Sequence, residues 1–153
     1  GLSFGWSMDR PGGSLALGLG ATRGVTGTAY PTGSLDWQRD LKRGSLSANL
    51  VRDVISDGND EETVVTTVSL GLTHDISRLA SVNFGFAASD SEDTATDLTT
   101  RNAAFTATYS HSLAAEWVLD VGVTHRILNE DETGRAESDT VFLELRRSFD
   151  WRP

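Results

Sequence analysis

The chain ends in "VFLELRRSFDWRP" (residues 141–153), and this stretch decides the fold class. Apolar side chains occupy every second position at Val141, Leu143 and Leu145, and after a break at Phe149 and Trp151. Alternation with a period of two is the pattern of a β-strand that has one apolar face. The end of the chain is therefore predicted to be a long strand.

The same alternation recurs along the rest of the sequence. The tripeptide "GSL" occurs at 13–15, 33–35 and 44–46, where glycine suits a tight turn and an alternating stretch follows at once. The pattern predicts an all-β fold of about nine or ten strands. Besides the terminal one, the alternating stretches are 2–9, 15–22, 34–42, 45–54, 64–72, 82–86, 103–109 and 117–123.

Composition narrows the class of protein. The 153 residues suit one domain covering 1–153, and 38% of them are hydrophobic, with no run long enough for a membrane helix. Cysteine is absent, so disulfides and thiolate metal sites are excluded. The net charge of -9 argues against a nucleic-acid partner, which requires a basic surface.

Two architectures produce alternating strands. A soluble β-sandwich turns its apolar face inward, whereas a membrane barrel turns it toward lipid. Many residues on the opposite face are small and uncharged, such as Gly18, Ser69 and Thr106. A solvated outer face normally carries more charge, so small residues fit a crowded interior better. The sequence favours an antiparallel up-and-down transmembrane β-barrel.

The connections are predicted to be unequal. Three stretches hold 13 of the 22 acidic residues and are expected to be long loops at one rim: "SDGNDEE" (56–62), "SDSEDTATD" (89–97) and "NEDETGRAESD" (129–139). Short turns are expected at the other rim: "DRPGG" (9–13), "LKRG" (41–44) and "HDISR" (74–78). This inequality is the usual plan of a bacterial outer-membrane barrel.

Five aromatic residues are predicted to form a girdle at the membrane boundary, because amphipathic rings favour that level. They fall near the short-turn rim on the apolar face. They are Trp6, Tyr109, Trp117, Phe149 and Trp151.

The tail resembles the C-terminal strand of Gram-negative outer-membrane β-barrels, which ends in an aromatic read by the barrel-insertion machinery. Val141, Leu143, Leu145, Phe149 and Trp151 carry the resemblance. The run "RDLKRGSLSANL…HDIS…FLELRRSFDWRP" is similar to uncharacterised porin-like barrels of alphaproteobacteria. The resemblance implies a bacterial outer-membrane location, with lipid and lipopolysaccharide as surroundings. This chain departs from it at Arg147 and at Arg152–Pro153.

An odd strand count raises a question of completeness. If the last strand ends in the periplasm, strand 2–9 also runs toward the periplasm. The first strand of a bacterial barrel normally runs away from the periplasm, and the number of strands is normally even. We therefore expect the C-terminal part of a larger barrel that lacks an N-terminal portion, or one completed by other subunits. Alternatively, "GVTGTAY" (24–30) is a tenth strand.

No catalytic or cofactor-binding constellation is apparent. His74, His111 and His125 lack zinc-type spacing, and no G-x-S-x-G elbow occurs. The stretch "DGNDEE" resembles a loose calcium loop with oxygen ligands at Asp57, Asp60, Glu61 and Glu62. A solvated acidic loop is the simpler interpretation; divalent cations could also bridge these acids to lipopolysaccharide phosphates.

Charges on the polar face are predicted to line the lumen: Asp36, Asp40, Asp120, Arg126, Glu144 and Arg146. An open lumen would prefer cations, whereas in a narrow one Asp120, Arg126, Glu144 and Arg146 would pair. The leading hypothesis is a noncatalytic pore or the membrane anchor of a larger assembly. The alternatives are a barrel-embedded hydrolase and a soluble, adhesin-like β-sandwich.

Overall fold

The structure, a computed structural model, describes residues 1–24, 27–56, 62–94, 96, 98–114, 116–131 and 133–148. These residues form nine strands and contain no helix. A helix able to cross a membrane is accordingly not found in this part of the chain. The strands are β1 (Leu2–Arg10), β2 (Gly13–Arg23), β3 (Ala29–Leu41), β4 (Gly44–Ser56), β5 (Glu62–Asp75), β6 (Ala80–Asp93), β7 (Thr99–Ala114), β8 (Trp117–Glu130) and β9 (Gly134–Arg147).

All nine strands lie in one antiparallel sheet whose order is the order of the sequence, β1 to β9. Each strand pairs with the strand before it and the strand after it, which confirms the predicted all-β, up-and-down meander. β1 and β9 are the two edge strands of the sheet. Among the described residues, β1 does not pair with β9. The sheet is therefore open, and barrel closure is not part of the observed fold.

The first of the two-residue hairpins shows how local sequence sets the connections. β1 and β2 meet at the pair Arg10 and Gly13, with Pro11 and Gly12 between them. Proline fixes its own φ near −65°, and Gly12 has a φ of 91°, a value that L side chains rarely adopt. We call this end of the sheet, with the connections at 11–12, 42–43, 76–79 and 115–116, the turn end; the opposite end is the loop end.

The prediction of long loops at 89–97 and 129–139 is wrong for most of their residues, which belong to strands. β6 continues to Asp93, and β8 and β9 leave only residues 131–133 between them. Acidic residues are tolerated there because several pair across strands: Asp90 lies 2.9 Å from Arg101, and Asp139 lies 2.7 Å from His125. The third predicted loop, 56–62, falls mainly on residues 57–61, outside the described residues.

The alternative tenth strand at 24–30 is also wrong. Ala29 and Tyr30 are the first residues of β3, which was predicted to begin only at residue 34. Their register continues without a break, with Tyr30 opposite Thr22 and Ala29 opposite Arg23. Residues 25 and 26 lie outside the described part.

The register sorts side chains onto two faces. Residues directly opposite one another share a face, so apolar residues form rows across the sheet. One row runs Trp6–Leu17–Leu35–Leu50–Val68. We call this side the apolar face and the other, rich in Gly, Ser and Thr, the polar face. Because no second layer covers either face, Val64 and Ala80 are the only buried hydrophobic residues among those described.

Candidate functional site

The apolar face is an extensive exposed surface. Its most exposed side chains lie on the two edge strands, with Leu2 86% exposed, Val141 77% and Leu143 72%. The accessible surface of the chain is 10940 Å². A compact soluble protein of 16.5 kDa would expose only about 7,600 Å². The sheet therefore presents far more surface than a compact globule of this mass, and many of its exposed side chains are large and hydrophobic.

A line of polar residues, which we call the border, crosses the apolar face obliquely near the turn end. Arg39 marks it on β3, and the register row through Arg39 continues to Leu72, Ala107 and Val141. The corresponding border residues are His74 on β5, His111 on β7 and Arg147 on β9. Relative to that row, each border residue is displaced toward the turn end. The displacement is two residues on β5, four on β7 and six on β9, which lie two, four and six strands from β3.

From β3 to β9 the border thus shifts by one residue for each strand crossed, whereas Arg10 on β1 lies in the same register row as Arg39. With a rise of about 3.3 Å per residue and strands about 4.8 Å apart, this shift corresponds to a tilt of about 35°. Strands of transmembrane barrels are tilted by about 35–45° relative to the membrane normal. We call the part of the apolar face on the loop-end side of the border the apolar belt. The edge of this belt would be parallel to a plane only if the strands were tilted by about 35° from the normal of that plane, as strands are in a barrel wall.

Aromatic residues follow this border. Tyr109 lies two residues on the belt side of His111; its hydroxyl is 3.1 Å from His111 Nδ1. Trp117 lies directly opposite Arg147, whose guanidinium is 5.2 Å from the ring centroid. Trp6 is exposed on β1, whereas Phe149 and Trp151 lie outside the described residues.

One aromatic residue of the border was not predicted from the sequence. Trp37 lies on the apolar face two residues from Arg39, as Tyr109 does from His111, and was left out of the predicted girdle. Arg147, which interrupts the apolar alternation of the last strand, is one of the border residues. Glu116 accepts a 3.0 Å ion pair from it at the turn end. Strand alternation alone gave no signal that Trp37 lies at the border.

On the polar face, the structure brings together three of the four charges that were expected to pair. Arg146 donates its Nε–H to Asp120 Oδ2 at 2.8 Å and makes a second, shorter bond through Nη2. Glu144 lies 3.9 Å from the same guanidinium. Asp120 is only 4% exposed, with Ser110 directly opposite it on β7. Arg126, the fourth residue, lies apart in a hollow beside Asn102 and Ser138.

The remaining predicted lumen charges are on β3. Asp36 accepts a 2.6 Å hydrogen bond from the Asn49 side chain on β4. Asp40 is exposed at the turn end, where its backbone N–H bonds the carbonyl oxygen of Gly12. These two acids do not join the Asp120 cluster.

Small residues on the polar face are needed for close packing. A Cβ on Gly18 would come within 2.6 Å of the Ser34 hydroxyl, and one on Gly71 within 2.7 Å of the Ser47 hydroxyl. Gly122 is covered by the ring of Phe142, the residue directly opposite it on β9. An aromatic ring over a strand glycine shields the exposed backbone at that position.

The structure offers little for the metal and catalytic alternatives. The described residues hold no group of acids and histidines that could bind a metal ion, and Asp57, Asp60 and Glu61 lie outside them. Glu62, the fourth candidate, begins β5 and is buried. His125 and Asp139 form a 2.7 Å pair on the apolar face.

The His125–Asp139 pair has no adjacent nucleophile. In the register, its neighbours on the same face are Phe105, Val123, Ile127, Glu137 and Val141. None of these side chains carries a hydroxyl or thiol, so the pair lacks the third member that a hydrolytic triad requires.

Comparisons with models of protein families, with curated protein sequences and with solved structures found no match to this chain.

Proposed function

We propose that this chain forms part of the wall of a transmembrane β-barrel in a bacterial outer membrane. The barrel acts without catalysis, either as a narrow pore or as the membrane anchor of a larger assembly. The observation that carries the proposal is the exposed apolar belt. Burying it is favourable by about 25 cal/mol for each Å² removed from water, and a bilayer covers such a surface without a second protein layer.

The oblique border supports this assignment. A tilt of about 35° is the geometry that brings the belt parallel to a membrane plane and is within the range of known barrels. Tyr109 and Trp117 at that border have the amphipathic rings favoured at a membrane–water interface. Lipid and lipopolysaccharide are the expected surroundings, and the insertion machinery is the expected partner during assembly.

The polar face favours a narrow lumen. Barrels of eight strands have interiors that side chains just fill, so a wall of nine or ten leaves limited space. The Asp120–Arg146 pair would occupy part of it. A wider pore would need further strands or subunits.

The two alternative functions have less support. A soluble sandwich needs a second sheet to cover the apolar face, and the described residues form a single sheet. A barrel-embedded hydrolase needs a nucleophile, which the His125–Asp139 pair lacks on its own face.

The first test is an SDS gel of membrane-extracted protein, boiled and unboiled. A faster unboiled band that also requires detergent for extraction is the expected result, because a closed barrel resists SDS. Identical bands together with extraction into buffer alone would refute the proposal. Conductance in planar bilayers then separates the pore, which gives discrete channel steps, from the anchor, which gives none.

A second test concerns the seam. Because β1 and β9 run in the same direction, an all-antiparallel barrel requires an additional strand between them. The chain has no cysteine, so paired cysteines can be introduced cleanly: Ser7→Cys with Thr140→Cys, Phe142→Cys or Glu144→Cys in turn. Ser7 and Ala16 are direct neighbours and provide the positive control.

The spacing between strands decides how the result is interpreted. Directly paired strands lie about 4.8 Å apart and allow a disulfide, whereas an intervening strand separates them by about 9.6 Å, beyond disulfide reach. Disulfide formation indicates parallel closure. A crosslink obtained only with a linker of about 10 Å indicates one strand between them. Failure of both, with the control pair crosslinked, would contradict closure by this chain with at most one further strand.

A further inference from the structure

A recess of about 430 Å³ opens on the apolar face at the loop end of β5–β8. Its floor is formed by Ala88 and Ala103, which lie directly opposite each other and leave space that larger side chains would fill. Val68 and Ile127 form its two sides. The recess is therefore lined by apolar groups at the level where the apolar belt ends.

Charged residues lie at the loop end of this recess. Asp90 and Arg101 are opposite each other, and Asp90 Oδ1 accepts a 2.9 Å bond from Arg101 Nε. This bond uses one of the five N–H donors of the guanidinium and leaves the terminal nitrogens available. Arg101 is thus held by Asp90 in a fixed orientation and remains exposed.

A second arginine lies beside the first pair. Arg52 donates a 3.0 Å bond to the Thr66 hydroxyl, and Thr66 is directly opposite Asp90. Among the described residues, no carboxylate lies within ion-pair distance of Arg52. Arg52 and Arg101 therefore bring two guanidinium groups to the loop end of the recess, and of these two only Arg101 is ion-paired among the described residues. Two further carboxylates lie on the same face, Glu92 two residues along β6 from Asp90 and Glu137 opposite Ile127, where it pairs with Arg135.

We infer that this recess is a binding site for a phosphate-bearing lipid, with the phosphate on Arg101 and Arg52 and the first part of an acyl chain over Ala88 and Ala103. Guanidinium groups bind phosphate through paired, charge-assisted hydrogen bonds. Below the alanines, Phe86 and Phe105 provide an apolar surface along which the chain would continue. The inference rests on the proposed membrane location.

The test measures lipid retained on the detergent-solubilised protein by native mass spectrometry. The probes are dioleoyl phosphatidic acid, dioleoylglycerol, which lacks the phosphate, and inorganic phosphate as a competitor. The variants are Arg101→Gln, which removes the phosphate ligand, and Ala103→Leu, which fills the recess without changing charge. Arg39→Gln is the matched control, an arginine on the same face at the turn end.

Phosphatidic acid is expected to be retained at least about tenfold more than dioleoylglycerol, because loss of charge-assisted bonds to phosphate costs this much or more. Arg101→Gln and Ala103→Leu should each reduce retention, and Arg39→Gln should not. Equal retention of both lipids, unchanged retention in Arg101→Gln, or full competition by inorganic phosphate would overturn the inference.

The two proposals fail in different ways. An unmodified protein that shows the heat-dependent gel shift but no lipid selectivity refutes the lipid site alone. A protein with no gel shift and no detergent requirement refutes the barrel first. If Ala103→Leu does not fold, Arg101→Gln still decides the outcome, because its side chain lies outside the apolar packing.

Discussion

Replacing Gly122 by alanine should destabilise the sheet through two identifiable clashes. A Cβ at this position would contact the Phe142 ring, with its Cε1 atom at 2.6 Å, and would lie 2.8 Å from the Ala107 carbonyl oxygen. The ring can rotate, whereas the carbonyl belongs to the backbone of β7 and cannot move without disturbing the ladder. Overpacking of this kind costs about 1–3 kcal/mol.

Urea titration of the protein refolded into lipid vesicles, followed by tryptophan fluorescence, measures this cost. With a slope of about 2 kcal/mol per M, a loss of 2 kcal/mol lowers the midpoint by about 1 M. Gly85→Ala is the matched control, because a Cβ on this polar-face strand glycine meets no atom within 4 Å. It should leave the midpoint unchanged or raise it slightly.

A double-mutant cycle tests the assignment of the clash to the ring. Phe142→Ala alone should cost about 1 kcal/mol, because the half-buried ring covers exposed backbone. On that background, Gly122→Ala should cost about 1 kcal/mol less than in the wild type, since only the carbonyl clash remains. Strict additivity of the two substitutions, or an equal loss in Gly85→Ala, would refute the reasoning.

Three further predictions use the same urea assay. Leu143→Arg, in the middle of the belt on β9, should cost about 2–4 kcal/mol in lipid vesicles, and an unchanged midpoint would argue against lipid contact. Gly44→Ala should abolish folding or lower the midpoint far more than Gly134→Ala: both glycines have positive φ, but only at Gly44 would a Cβ collide with the Thr73 carbonyl. Arg146→Gln should lower the midpoint by orphaning the buried Asp120 carboxylate, and adding Asp120→Asn should recover most of the loss.

Period-two alternation was sufficient to predict nine β-strands, although it left open a tenth strand at 24–30 that the structure does not contain. It succeeds because one-sided burial requires the same parity along an entire strand, as from Val64 to Leu72. Strand ends were harder to predict, because polar residues such as Asp90 and Glu137 look like loop residues. Their cross-strand and same-strand partners, Arg101 and Arg135, are apparent only once the register is known.

The candidate site depended on register in the same way. Asp120 and Arg146 are 26 residues apart in sequence and meet only because β8 and β9 pair with one specific offset. The recess over Ala88 and Ala103 was not predicted, because two alanines on different strands carry no signal until they are opposite each other. The oblique border likewise becomes visible only when residues on alternate strands are compared.

Pairing restricted to sequence neighbours also has a consequence for how the chain assembles. Every ladder closes a loop of a few residues, so each hairpin can form before the rest of the sheet and pays little loop-closure entropy. In this respect the molecule is a series of hairpins joined in sequence order. Removing the β5–β6 hairpin would narrow the sheet by two strands, and duplicating this hairpin would widen it by two strands. Either change would preserve the alternation of strand directions. This makes the chain a suitable scaffold for stepwise changes in the width of the sheet.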